Sequence, residues 1–229
     1  MMPPAGYTTE GRLRVARRKT CSRVLGPGSR AVIWFHGCDL GCPGCVAREL
    51  NTSARYEVCS AAELAGWVLA IPGIEGITLT GGEPFQQSPG ELGVFLDCVR
   101  RASELSVMCY TGYTLDALLA SPEGEAHQRL LGYIDILVDG PYVAGRNEGH
   151  LWRGSANQRI HFLTDRYRSM SGTVERSKGR AIEVELIEGR RLELTGIPEA
   201  GFLDRFRRHL DRQGMILDFS EAASGSVIG

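Results

Sequence analysis

The chain has 229 residues and a mass of 25.0 kDa, which corresponds to between one and two domains of ordinary size. Apolar residues make up 43% of it and charged residues 23%, so the composition excludes both a disordered chain and a small disulfide-stapled protein. The formal net charge of −1 gives no overall attraction to nucleic acid or acidic lipid, and no apolar run approaches the roughly 20 residues of a membrane span.

The first segments predict two strands of different character. Residues 1–11 lack the pattern of a signal peptide, so we expect a cytoplasmic protein without membrane or nucleic-acid partners. Between residues 12 and 19, basic side chains alternate with Leu13 and Val15, which favours an exposed edge strand over a binding arm. Residues 31–36 form a short apolar run rich in β-forming residues, typical of a strand buried on both faces.

Helices and strands then alternate. A helix is predicted to begin after Ser60, which forms a capping-box pattern with Glu63, and to end before Pro72. The next predicted strands are residues 77–80, 106–110 and 134–138. The next predicted helices are residues 89–104 and 114–132, the second of which is interrupted at Ser121-Pro122. Alternation at this spacing predicts right-handed crossovers and a parallel sheet, and therefore an α/β fold.

The last part of the chain has a different pattern. A polar segment of residues 143–158 precedes a final strand at residues 159–163, and its length is typical of a functional loop. Residues 169–180 resemble a linker. Beyond it, the sequence predicts a hairpin around Glu188 and Gly189, an amphipathic helix from Phe202 to Leu210 and a strand at residues 215–219.

We therefore divide the chain into a main domain of residues 1–168 and a small C-terminal appendage of residues 169–229. The order of its predicted elements makes this appendage ββαβ-like, and it carries no evident catalytic group.

Unusual motifs follow four of the predicted strands. In chain order they are the cysteine group Cys38, Cys42 and Cys45, then Gly81-Gly82-Glu83-Pro84, then Thr111-Gly112, and finally Asp139-Gly140. Because the carboxyl ends of parallel strands meet at one rim, where ligands bind in barrels and open sheets alike, we expect these motifs to share one site.

Three of the seven cysteines lie within eight residues, which is the spacing of a metal site. One interpretation is a structural zinc ion with His36 as the fourth ligand. The other is an iron–sulfur cube held by three cysteines, which leaves one iron open to a substrate. The spacing favours the cube, because a ligand two residues before Cys38 would be sterically awkward. The scattered cysteines are interpreted as small buried apolar residues: Cys21, Cys59, Cys98 and Cys109.

The cysteine spacing resembles the signature of the radical S-adenosylmethionine superfamily, and the Gly81-Gly82-Glu83-Pro84 motif resembles its methionine-binding loop. Gly26-Pro27-Gly28, Tyr110-Thr111-Gly112-Tyr113 and Asp139-Gly140 narrow the resemblance to the activating enzymes of glycyl radical enzymes, and most closely to activases of anaerobic ribonucleotide reductases. It covers residues from about 20 to 165. It implies an incomplete (βα)6-type radical SAM barrel, to which the C-terminal appendage is added.

The resemblance also implies the cofactors and partners. Cys38, Cys42 and Cys45 would ligate a 4Fe-4S cluster whose free iron chelates S-adenosyl-L-methionine. One electron from the cluster would cleave this compound to methionine and a 5′-deoxyadenosyl radical, which takes a hydrogen atom from a glycine of the protein substrate. The implied partners are therefore a glycyl radical enzyme and a low-potential electron donor.

The resemblance assigns contacts to S-adenosylmethionine as well. Gly81 and Gly82 would let the backbone approach its methionine part, and Glu83 or backbone carbonyls would accept from its ammonium group. Gly44 and Val46, which flank Cys45, would contact the adenine.

Thr111 and Asp139 would organise the methionine carboxylate, although Asp139 is also a common turn residue before glycine. The sequence departs from the family pattern at Leu25 and Ala47, where a polar residue and an asparagine are frequent, and these departures weaken the assignment of the substrate. Two alternatives therefore stay open: a radical enzyme that modifies a ribosomal peptide or a small metabolite, and a non-catalytic metal-binding interaction module.

Overall fold

A computed structural model describes residues 12–52, 55–188 and 191–214, apart from the side chains of residues 49, 52 and 191. The strands in this part of the chain are β1 Leu13–Ser22, β2 Arg30–Phe35, β3 Glu57–Cys59, β4 Gly76–Gly81, β5 Ser106–Tyr110, β6 Ile136–Asp139, β7 Arg159–Phe162, β8 Ile182–Ile187 and β9 Arg191–Gly196. The α-helices are α1 Arg48–Thr52, α2 Ala61–Leu69, α3 Pro89–Ala102, α4 Leu115–Leu119, α5 Gly124–Leu131, α6 Ser171–Arg176 and α7 Phe202–Arg212. Short 3-10 helices are Pro84–Gln86, Ala144–Arg146 and Asp165–Met170.

Seven strands form one sheet in the order β3-β1-β2-β4-β5-β6-β7. The central four, β2, β4, β5 and β6, are mutually parallel, which confirms the α/β prediction. The predicted final strand, β7, runs antiparallel to β6; the sequence pattern gave no direction for this strand. The connection between β6 and β7 contains one 3-10 turn and no crossover helix to return the chain to the starting end of the sheet.

The basic segment forms β1, a strand as predicted, but it is not an edge strand. Leu13 to Val15 pair with the three residues of β3, so β1 is second in the sheet. Its arginines stack on tryptophans: the Arg17 guanidinium lies 4.6 Å from the Trp34 ring, and that of Arg18 lies 5.1 Å from Trp67. Cation–π stacking therefore accounts for basic residues on a half-buried strand.

The parallel strands are covered on both faces, as their apolar sequences predict. One face packs against α2 and α3, through buried side chains that include Ile33, Phe35, Leu79, Leu64 and Phe95. The opposite face carries Val32, Trp34, Met108, Ile136 and Val138. Leu25, Trp152, Val174 and Ile197 cover that second face, so residues from both ends of the described chain fill it.

Two predictions about the helices, which rest on neighbouring residues, are confirmed. Ser60 caps α2, and its side chain and that of Glu63 make the reciprocal hydrogen bonds of a capping box. The interruption predicted at Ser121-Pro122 separates α4 from α5. No helix within the described residues has the length and apolar character that crossing a membrane would require.

The interpretation of residues 169–180 as a linker is wrong. The 3-10 helix Asp165–Met170 continues into α6, and Val174 is 1% exposed in the cluster that contains Met108 and Ile136. One buried valine in a polar stretch is enough to dock this segment on the sheet. The hairpin β8–β9 and the helix α7 agree with the sequence prediction, while the strand predicted at residues 215–219 lies outside the described residues.

Candidate cofactor site

A pocket lies at the carboxyl ends of the four parallel strands. Its empty space, including the open mouth, is about 930 Å³. Residues at or after the end of each strand line it: Cys38, Cys42 and Cys45 after β2, Gly81, Gly82 and Glu83 at β4, Thr111 and Gly112 after β5, and Gly140 after β6. The expectation that these motifs share one rim is confirmed.

The three cysteines lie on the loop that joins β2 to α1, and all three thiols are free and partly buried. The loop turns tightly: the Cys45 amide donates to the Cys42 carbonyl at 3.2 Å. Gly41 and Gly44 have φ of +61° and +74°, a region that side chains disfavour. These two glycines therefore let the backbone wrap around whatever the thiols bind.

Burial shapes the chemistry of these thiols. It raises the pKa of Cys38 to about 12 and also raises the pKa of Cys45, so both are neutral near pH 7 until a metal displaces their protons. No three His, Cys, Asp or Glu side chains in the described ranges converge on a point where one ion could bind. A zinc ion requires its ligands to converge on one point, whereas in an iron–sulfur cube each cysteine binds a different iron.

The zinc interpretation needed His36 as a fourth ligand. The His36 ring stacks on Tyr56, with ring centroids 4.1 Å apart, and His36 is not one of the pocket residues. His36 therefore does not line the pocket that holds the three cysteines, whereas an iron–sulfur cube with one open iron needs no such ligand.

Glycines bring the loop after β4 against the cysteine loop. Gly81 has φ of +95°, and a Cβ there would lie 2.7 Å from the Phe35 amide nitrogen. A Cβ at Gly82 would overlap the Gly37 carbonyl oxygen. The Gly82 amide donates to the Phe35 carbonyl at 2.7 Å, and the Glu83 amide donates to the Gly37 carbonyl at 2.8 Å. Both glycines are thus required by close backbone approach.

Glu83 lies in the pocket wall and ties two loops together. Its Oε1 accepts from the Thr111 hydroxyl at 2.7 Å and the Phe85 amide at 3.1 Å, while Oε2 accepts from the Gly112 amide at 2.8 Å. Complete burial raises the pKa of Glu83 to about 7, against the opposing effect of these three donors. The carboxyl group therefore fixes the ends of β4 and β5 relative to one another.

Thr111 lines the pocket, but Asp139 is not among its lining residues. The Asp139 carboxylate lies 2.8 Å from Arg159 Nη2, 2.7 Å from the Leu115 amide and 3.1 Å from His161 Nε2. Burial alone would raise the pKa of Asp139, but hydrogen bonds from Arg159 and the Leu115 amide, together with His161, hold it below its ordinary value. The role expected for Thr111 and Asp139 at the methionine carboxylate therefore stays a prediction.

Gln158, from the long polar loop, also organises the pocket. Its Oε1 accepts from the Gly154 amide at 2.7 Å, and its Nε2 donates to the Gly140 carbonyl at 2.9 Å. Because Gly140 and Gly154 both line the pocket, this side chain closes the wall after β6.

Several lining residues were not assigned a role from the sequence. They are Asn51, Trp34, Tyr110, Tyr142 and residues 196–198. The Tyr110 hydroxyl and Asn51 Oδ1 are buried and have no hydrogen-bond partner within the described residues. The Tyr-Thr-Gly-Tyr motif could have drawn attention to Tyr110, whereas residues 196–198 carry no motif that points to a site.

Residues 24–161 match the family described as "4Fe-4S single cluster domain". The anaerobic ribonucleoside-triphosphate reductase-activating protein of Enterobacteria phage T4 is 33% identical over 150 residues, which are 63% of this chain and 91% of that protein. The proteins of the same name from Vibrio cholerae and Escherichia coli K12 are 35% and 31% identical, over 62% and 61% of this chain and 92% of each relative. The crystal structure of QueE from Escherichia coli is similar at 14% identity and a TM-score of 0.36, over 47% of this chain and 56% of that one.

Proposed function

The chain belongs to the family of anaerobic ribonucleoside-triphosphate reductase-activating proteins, and we propose that it is a radical S-adenosylmethionine enzyme that installs a glycyl radical on a partner ribonucleotide reductase. The observation that carries the proposal is the shared pocket. Cys38, Cys42 and Cys45 lie in it together with the Gly81-Gly82 turn and Thr111. A metal-binding module without catalysis would need the three cysteines but not the Gly81-Gly82 turn and Thr111 beside them.

Cys38, Cys42 and Cys45 would hold the 4Fe-4S cluster. When bound, the cluster supplies one electron for the reductive cleavage of S-adenosylmethionine, and the resulting 5′-deoxyadenosyl radical takes a hydrogen atom from a glycine α-carbon. The chain's own contribution is to bury the three thiols at one side of a pocket whose other walls come from β4, β5 and β6. Such a pocket fixes the orientation of the reactants and excludes water from a reactive radical.

The residues that line the pocket indicate which parts of the chain contact S-adenosylmethionine. We assign the methionine part to the turn at Gly81 and Gly82, because this turn lines the pocket beside the cysteines. Glu83 and Thr111 adjoin that turn and share a hydrogen bond. In the family pattern the adenine contacts fall to Gly44 and Val46, beside Cys45, and Val46 lines the pocket.

Asp139 is proposed to organise the methionine carboxylate together with Thr111; because two carboxylates repel one another, it would act through a bound cation.

The architecture is consistent with an incomplete (βα)6-type barrel. Four parallel strands with helices on one face, and an opposite face filled by side chains, support this assignment. We also propose that residues 1–168 form the radical-generating domain and that residues 169–229 serve it as an appendage. The partners would be the reductase and a low-potential electron donor, because clusters ligated by buried thiolates reach potentials as low as about −700 mV.

Electron paramagnetic resonance on the candidate reductase tests the proposal. The anaerobically reconstituted chain, S-adenosylmethionine and a strong reductant are incubated with the reductase, and the expected result is the doublet signal of a glycyl radical. The Cys42→Ala variant serves as the matched control, which should give no doublet. A reductase that remains without signal in the presence of the intact, cluster-loaded chain would contradict the proposed substrate.

A further inference from the structure

The C-terminal part of the chain contributes a wall to the pocket. Gly196, the last residue of β9, and the next two residues, Ile197 and Pro198, line the same pocket as the cysteines; we call residues 196–198 the C-terminal wall. This wall lies well beyond residue 161, where the 4Fe-4S family match ends. The alignments cover about nine-tenths of the length of these relatives. They leave more than a third of this chain unmatched.

Ile197 continues an apolar surface inside the pocket. It packs against the buried cluster of Leu25, Val32 and Trp34, and both Leu25 and Trp34 are pocket residues themselves. Ile197 is only partly buried by these contacts, so the rest of its side chain faces the empty space. The side of the pocket formed by these residues is apolar, as ligand pockets generally are.

Tyr110 packs on the same cluster and gives this side of the pocket one polar group. Its hydroxyl is buried and has no hydrogen-bond partner in the described ranges. A buried hydroxyl without a partner costs free energy, so this group is available to a water molecule or a ligand.

Two arginines anchor the strands and loops around the wall. Arg17 of β1 donates to Thr195 Oγ1 at 3.2 Å and lies 3.1 Å from Glu193 Oε2, which fixes the end of β9 on the main sheet. The Thr195 side chain is fully buried at this contact. The C-terminal wall therefore begins at the end of a strand that is fixed on the main sheet.

The second anchor joins the wall to the opposite side of the pocket. Arg180 donates to the Pro198 carbonyl at 3.0 Å and to the carbonyls of Arg153 at 2.6 Å and Gly154 at 3.2 Å. Asn147 Nδ2 donates to the same Pro198 carbonyl at 3.2 Å. Since Gly154 lines the pocket, one guanidinium holds two of its walls together.

We propose that the C-terminal wall completes the S-adenosylmethionine pocket of this chain, with Ile197 as a residue that contacts the bound ligand. The inference rests on the proposed function and extends it, because it assigns the appendage a role in binding. The hairpin β8–β9 and Arg180 are then positioning elements, which hold a wall that the family match does not include.

The test measures S-adenosylmethionine binding by equilibrium dialysis on the anaerobically reconstituted, full-length chain. Ile197→Ala removes the contact and should raise the dissociation constant about tenfold, with the iron content per chain unchanged. Leu186→Ala is the matched control, since Leu186 lies on the same hairpin and is 61% exposed. This control should bind as the unaltered chain does.

An Ile197→Ala variant that binds S-adenosylmethionine as tightly as the unaltered chain would overturn the inference. If the variant loses iron or fails to fold, amide hydrogen exchange on the unaltered chain decides. Added S-adenosylmethionine should slow exchange at Gly196 and Ile197, and unchanged exchange there would overturn the inference. If the unaltered, cluster-loaded chain itself does not bind S-adenosylmethionine, the proposed function fails, and the inference fails with it.

Discussion

Glu83 shows how one buried carboxyl group sets the geometry of a binding loop. The sequence placed Glu83 at the site through its motif, but the motif could not show that three donors from two loops already occupy its oxygens. The cysteines were assigned from spacing alone, because three thiols on one short loop must lie close together. Asp139 was harder, because the residues that hold it, Arg159 and His161, are about 20 positions further along the chain.

The buried Glu83 predicts a specific pH dependence of stability. Its pKa rises from an ordinary 4.5 to about 7, so between these values the folded chain keeps a proton that the unfolded chain has lost. The free energy of unfolding should therefore fall as the pH rises through this window, by at most about 3 kcal/mol from this group. Glu83→Gln removes this component, because an amide does not titrate.

Denaturant unfolding of the metal-free protein between pH 5 and pH 8 measures the effect. The difference in unfolding free energy between the unaltered chain and Glu83→Gln should shrink or change sign in favour of the variant as the pH rises. Glu104→Gln, at an exposed position, should show no such trend. A difference that stays constant over the whole range would contradict a raised pKa at Glu83.

At the scale of elements, local signals were sufficient for helices and insufficient for strand pairing. The beginning of α2 follows from Ser60 and Glu63, because a capping box depends on two residues only three positions apart. The antiparallel direction of β7 and the inner position of β1 depend on distant partners, which no local period encodes. The prediction of a linker around α6 failed for a related reason. The segment is polar in composition, and Val174 is the one residue of 169–180 that is buried.

The turn after β4 is an element whose conformation depends on glycine. Gly81→Ala would place a Cβ against the backbone of Trp34 and Phe35 at φ of +95°, and should lower the free energy of unfolding by about 2 to 3 kcal/mol. Gly66→Ala is the matched control on the exposed side of α2, where a Cβ meets nothing within 4 Å. It should raise the free energy of unfolding by up to about 1 kcal/mol.

Urea unfolding of the two metal-free variants beside the unaltered chain provides the comparison. Equal stability of Gly81→Ala and the unaltered chain would mean that the turn tolerates a side chain. The close approach of β4 to the end of β2 would then not depend on a glycine at position 81.

At the scale of the whole molecule, the residues that match the family do not include all the residues that line the pocket. The matched part supplies the cysteines, the glycine turn and the loops after β5 and β6. The unmatched C-terminal part supplies one more wall, and its anchors run to β1 on one side and to the long polar loop on the other. The sequence predicted the elements of this part, but contact between it and the pocket is a property of the assembled fold.

The central claim is that this pocket binds a 4Fe-4S cluster and S-adenosylmethionine together. The most direct measurement is the amount of 5′-deoxyadenosine released when the reconstituted, oxygen-free chain is mixed with S-adenosylmethionine and a strong reductant. We expect release from the unaltered chain and from Cys21→Ala, whose exposed thiol lies outside the pocket, and none from Cys42→Ala, which should also lack its iron. Absence of 5′-deoxyadenosine from a fully loaded chain, or undiminished release from Cys42→Ala, would contradict the account.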